Sequence, residues 1–146
     1  MRPDGARRMD AALPRRRAGA ESPAARGAAF SDLYSQAEAL FGGLPDGVLV
    51  QLGGRIVYAN RRLAAMLGLA DPARLVGVVA FELYPESELA SAIARVQAAY
   101  FGRSPPVSRH RIRAPGGESA SVEISCLLLR LADAPVLVEI LRASAG

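Results

Sequence analysis

Tryptophan and lysine are absent from this chain, and cysteine and histidine occur once each, as Cys126 and His110. A single cysteine excludes an internal disulfide and fits a reducing, cytoplasmic setting. Metal binding needs convergent soft ligands or carboxylates, and one histidine with one cysteine does not make a usual set, so no metal is expected. The same scarcity limits nucleophilic catalysis, because Cys126 would have only His110 as an imidazole base. Cys126 also stands in the alternation Val122, Ile124, Cys126, Leu128, where a cysteine ordinarily serves as a small core hydrophobe. No apolar run approaches the roughly 18 residues that a membrane span requires, so no membrane partner is expected. The glycine pairs at 42–43, 53–54 and 116–117 lack a phosphate-loop pattern and read as a helix end and two turns.

What the chain has in plenty is arginine. All 18 basic residues are arginine, against 14 acids. Seven of them fall within residues 1–30 beside three acids, so the net charge of +4 belongs to that segment and the remainder is neutral. Residues 1–27 add prolines and alanines with little to bury, and are expected to form a disordered tail. Clustered arginine attracts phosphate, but no aromatic is interleaved for base stacking, so nucleic acid is not an expected partner. Removing residues 1–27 is expected to move the melting temperature by less than about two degrees in a calorimetric scan.

Residues 28–43 read as an amphipathic helix: Phe30, Leu33, Tyr34, Ala37, Leu40 and Phe41 follow helical spacing, Ser31 is the expected N-cap, and Gly42-Gly43 ends it. Next, Val48, Val50 and Leu52 alternate, Gly53-Gly54 supplies the positive φ of a tight hairpin turn, and Ile56 and Tyr58 are expected to face the same way. Asn60 is placed to cap a short helix whose apolar stripe is Leu63, Met66 and Leu67. Helical turns are expected at Asp71–Leu75 and Val79–Leu83, then a longer helix over Glu86–Tyr100 with Leu89, Ile93, Val96 and Tyr100 at helical spacing. Strands over Val107–Arg113, Ser119–Arg130 and Pro135–Leu141 complete an α+β chain with a five-stranded antiparallel sheet. In the first of these strands Arg109, Arg111 and Arg113 share one face, which must meet water, so His110 and Ile112 should face the helices.

These pieces resemble the PAS sensor-domain family. Asp46-Gly47, Gly54-Arg55-Ile56, Tyr58-Ala59-Asn60 and Leu67-Gly68 are similar to the family's Asp-Gly, Gly-Arg-Ile, Tyr-Ala-Asn and Leu-Gly steps. Arg74-Leu75-Val76-Gly77, Tyr84-Pro85-Glu86 and Arg111-Ile112-Arg113, with Gly117 after them, continue the pattern in order. The resemblance covers residues 44–142 and implies a PAS-like sheet with helices on one face and the N-terminal helix in addition. It departs at Gly116, where the family has Asp, and at residues 143–146, a stub where the family's Asp-Ile-Thr exit motif would fall.

The resemblance implies a sensory, non-enzymatic module that binds a small apolar or amphipathic ligand, a partner protein, or both. Without the exit motif, regulation is expected in trans, on a separate kinase, cyclase or transcription factor. Haem is disfavoured because Glu86–Tyr100 holds no histidine, and flavin because Asp71–Tyr84 holds no cysteine and tryptophan is absent. The expected ligand walls are Tyr58, Met66, Phe81, Leu89, Ile93, His110, Ile112, Ile124 and Cys126. A homodimer through Phe30, Leu33, Tyr34, Leu40 and Phe41 is the expected assembly. Two alternatives stay open. One is a small α+β enzyme or carrier with a pocket around Tyr58, Glu82, His110 and Cys126. The other is an N-terminal fragment of a longer PAS-containing sensor kinase or regulator.

Overall fold

The computed structural model describes residues 23–144. By its internal contacts the chain divides into two units, residues 1–32 and 33–146. Helix α1 spans Pro23–Phe41, strands β1 and β2 are Gly47–Leu52 and Arg55–Ala59, and helix α2 is Arg61–Met66. Two 3-10 turns, Pro72–Leu75 and Ala80–Leu83, lead to helix α3, Glu86–Tyr100. Strands β3 (Ser108–Arg113), β4 (Ser119–Leu131) and β5 (Ala134–Ala143) follow. The five strands form one antiparallel sheet in the order β2-β1-β5-β4-β3, so β3 is an edge.

The arginine-rich segment expected to be disordered lies outside the described residues over 1–22, whereas 23–27 already belong to α1. Ser31 is therefore interior to the helix and not its cap. Pro23 suits a first helical position, and the alanines that follow are the best helix formers.

Alternation along the strands divides the sheet into two faces. Leu49, Ile56, Ile112, Val122, Ile124 and Leu141 pack with α2 and both 3-10 turns through Leu63, Leu67, Leu75 and Leu83. Val48, Val50, Tyr58, Val136 and Val138 pack on the other face with Leu33 and Ala37 of α1. Ile56 and Tyr58 thus face opposite ways, contrary to the sequence reading. The cause is a bulge: Val50 pairs with Tyr58 but Gln51 with Ile56, leaving Val57 as an extra residue that reverses the alternation.

Two close approaches fix the loops. A Cβ on Gly117 would lie 2.5 Å from the Leu67 carbonyl oxygen, which accepts the Glu118 amide at 2.8 Å. Gly117→Ala is expected to cost about 1–3 kcal/mol in urea denaturation, because backbone must move to admit the methyl. The β4–β5 turn places Ala132 (φ 49°) and Asp133 (φ 63°) in the left-handed region, and the Gln36 side chain accepts the Ala132 amide at 3.0 Å. Replacing the pair with Asn-Gly is expected to stabilise the fold by about 1 kcal/mol in the same assay.

Candidate functional site

Helix α3 departs from its expected orientation. The residues it buries are Ala92, Arg95, Val96 and Ala99, while Leu89 and Ile93 are half-buried and Tyr100 is exposed. Small alanines let the helix approach the sheet, and between them Arg95 points inward with only 5% of its surface exposed. An unpaired charge there would be prohibitively costly, so its partners define the site.

Those partners come from several elements. Arg95 Nη2 donates to the Tyr84 hydroxyl at 2.6 Å and lies 3.7 Å from Glu139 Oε2 on β5. Gln51 Nε2 of β1 donates to the same Glu139 oxygen at 3.2 Å. Arg95 Nη1 meets Ser108 Oγ at 3.1 Å and His110 Nε2 at 2.8 Å. Since a guanidinium only donates, Nε2 must accept, and the ring proton sits on Nδ1, facing Glu88 Oε1 at 2.9 Å. Tyr84 stacks edge-on against the imidazole at 5.2 Å. Arg95 Nε is buried with no protein partner.

Burial sets the electrostatics. It pushes the Glu139 carboxyl above its usual range, with Arg95, Gln51 and Tyr84 offsetting part of the rise. Burial, with the nearby Glu139 charge, also pushes the Tyr84 phenol well up, so that it remains a neutral hydroxyl. The Cys126 thiol, raised by burial and then by Glu139, is held away from the nucleophilic thiolate form. Fixed donors and acceptors of this kind can orient a polar group.

The residues expected to line a ligand pocket do not all meet. His110, Ile112 and Ile124 are buried on the face that carries α2, and Met66 is half-buried beside them. Phe81 and Cys126 pack with Val96, Ala99 and Leu137. On β5, Leu137, Glu139 and Leu141 point the same way, so the polar cluster sits between these two apolar groups. Tyr58 lies on the opposite face, where its hydroxyl donates to Glu38 Oε1 at 2.8 Å and its ring meets Tyr34 edge-on at 5.0 Å. It anchors α1 and cannot wall a cavity with His110, because the bulge turned it away. For the same reason Tyr58, Glu82, His110 and Cys126 do not converge as an enzyme site; Glu82 is exposed.

Sequence reasoning missed Gln51, Arg95, Glu139 and the roles of Tyr84 and Glu88. One signal was available: Glu139 interrupts the run Val136-Leu137-Val138, at a position that alternation turns inward. The α1 residues expected at a dimer contact also divide. Leu33 is buried on its own sheet, Tyr34 and Phe41 are partly buried there, and Phe30 (42%) and Leu40 (55%) are exposed.

Among the described residues no cluster of three or more His, Cys, Asp or Glu side chains is placed to hold a metal. No helix among them is long and apolar enough to cross a membrane.

No curated protein matches the sequence. Solved structures do match the fold. The PAS domain of an HTR-like protein from Haloarcula marismortui is 22% identical with a TM-score of 0.56, covering 82% of this chain and 98% of its own. The PAS domain of a LuxR-family transcriptional regulator from Burkholderia thailandensis, solved with ethanol, is 23% identical with a TM-score of 0.57, over 77% and 98%. The LOV protein of Rhodobacter sphaeroides is 18% identical with a TM-score of 0.61, over 81% and 68%. In sequence, the family profile described as PAS domain matches residues 35–99, the stretch that carries the end of α1, the hairpin and nearly all of α3. With that match and this sheet order together, the chain forms a PAS-like domain, similar to the PAS domain family in sequence over residues 35–99 and in fold.

Proposed function

We propose that this PAS-like domain is a non-catalytic sensory module that takes a small amphipathic ligand beside the Arg95–His110 cluster and regulates a separate partner protein. The observation that carries the reading is the buried polar cluster itself. It places directional donors and acceptors between two apolar groups, the ordinary makeup of a small-molecule site. Arg95 Nε, buried without a protein partner, supplies a donor for such a guest. The Burkholderia PAS domain, in its complex with ethanol, is a precedent in another protein of this fold for a small hydroxyl-bearing guest. Output is proposed to act in trans, on a kinase, cyclase or transcription factor, from a homodimer in the cytoplasm.

Native mass spectrometry tests the ligand. Wild type is expected to retain a non-covalent small molecule, or to take one from a panel of short alcohols, acids and amides. His110→Phe keeps the ring bulk but removes the bonds to Arg95 and Glu88, and is expected to lose it. Equal retention by both proteins would remove His110 from the site. The dimer is tested by Phe30→Ser with Leu40→Ser, which leaves the buried Leu33 and Ala37 in place. Light scattering should then report monomer, and an unchanged dimer would place the contact elsewhere.

A further inference from the structure

A concavity lies beside the cluster, on the exposed edge of the sheet. It is an open cleft of about 480 Å³, bounded by the second 3-10 turn and the β3–β4 connection. Its lining includes the exposed Pro85 and Pro115 above the buried Leu83 and Ile112, together with Arg111, Arg113 and Glu82. Arg74 joins the rim, its Nη2 lying 3.5 Å from where a Gly116 Cβ would stand. Elsewhere on the surface Arg109 pairs with Glu123 and Arg142 with Asp46. Arg111 and Arg113 form no such ion pair among the described residues; they donate to the neutral Ser121 hydroxyl and the Gly117 carbonyl. Two arginines of the cleft lining and a third at the rim therefore accompany Glu82, the one carboxylate residue of that lining.

We propose that this cleft binds a small organic anion, a carboxylate or phosphate carried on an apolar or aromatic group. The volume falls within the usual range for small-molecule sites, about 300–1,000 Å³. Planar guanidinium forks match carboxylate and phosphate oxygens, and the exposed Pro85 and Pro115 rings receive the apolar part. A strand-adding peptide is a poorer fit, although β3 is an edge. The Arg111 amide is already taken by Glu88 Oε1 at 3.1 Å, which blocks the ladder at mid-strand. The site also touches the buried cluster. Tyr84 lines the cleft and accepts from Arg95, while Glu88 holds both the Arg111 amide and His110. An occupant would therefore press on the same side chains that order the interior.

The test is a titration of ¹⁵N-labelled protein with benzoate and with inorganic phosphate, followed by NMR. Saturable shifts centred on Arg111–Ser119 and Glu82–Tyr84, extending to Glu88, Arg95 and His110, are expected, with benzoate binding the tighter of the two. Arg111→Ala with Arg113→Ala should weaken benzoate by about tenfold or more, a loss of about 1.4 kcal/mol. Arg103→Ala, at an exposed arginine outside the cleft lining, should leave it unchanged. Shifts that scatter over the surface, fail to saturate, or persist in the double variant would overturn the proposal. Phosphate binding as tightly as benzoate would overturn its apolar half.

Discussion

Arg95→Met is expected to destabilise the domain by about 3–5 kcal/mol, because it leaves the Glu139 carboxylate buried without its cation. Glu139→Leu should cost a similar amount for the converse reason. The double variant Arg95→Met/Glu139→Leu removes both charges and should recover most of the loss, as buried ion pairs are often replaceable by apolar side chains of similar volume. Chemical denaturation of the four proteins closes the cycle. The pH dependence carries a definite sign. Burial raises the folded-state pKa of Glu139 above its unfolded value, so its protonated form favours the fold. Its contribution is complete below the unfolded pKa and is lost as pH rises through the folded one. Glu139→Gln should therefore flatten that part of the stability profile, and a decline with rising pH that is equally steep in the variant would assign it to another group.

Asn60→Ala is expected to cost about 3 kcal/mol, more than an ordinary helix cap. Its Oδ1 accepts from Leu63 N in α2 and from Val48 N in β1, both at 3.0 Å. Its Nδ2 donates to the carbonyls of Phe41 at 3.0 Å and Asp46 at 3.1 Å. One buried amide thus ties the end of α1, the start of β1 and the start of α2, and truncation leaves several buried groups without partners. Asn60→Asp keeps the acceptors but loses the donors and should fall between. A thermal melt that places Asn60→Ala within about 1 kcal/mol of wild type would reduce the residue to a simple cap.

The sequence made the periodic features legible and concealed the exceptions to them. The hairpin, the Asn60 cap, the span Glu86–Tyr100 and the inward His110 all follow from period, turn chemistry and the exposure demanded by Arg109, Arg111 and Arg113. The Val57 bulge was hidden because it is a pairing between strands and leaves no mark on the alternation it reverses. The inward Arg95 was hidden for a related reason. Leu89, Ile93 and Tyr100 make the more apolar stripe of α3, yet the helix turns its alanines and arginine to the sheet because Glu139 and Tyr84 wait there. An ion pair between distant segments cannot be read from either segment alone. The start of α1 was misplaced because a charged, alanine-rich stretch reads equally as solvated chain or as helix.

The central claim is that the Arg95–Glu139–His110 cluster recognises a ligand, and does not merely hold α3 on the sheet. The Arg95→Met/Glu139→Leu variant separates the two roles, since it is expected to keep the fold while losing the polar groups. Its melting temperature should be measured beside wild type against a library of small alcohols, carboxylic acids and amides. A ligand that binds only the native cluster stabilises only the protein that has it. The account predicts compounds that raise the wild-type melting temperature and leave the double variant unmoved. Compounds that stabilise both proteins equally, or none that stabilises wild type, would contradict it.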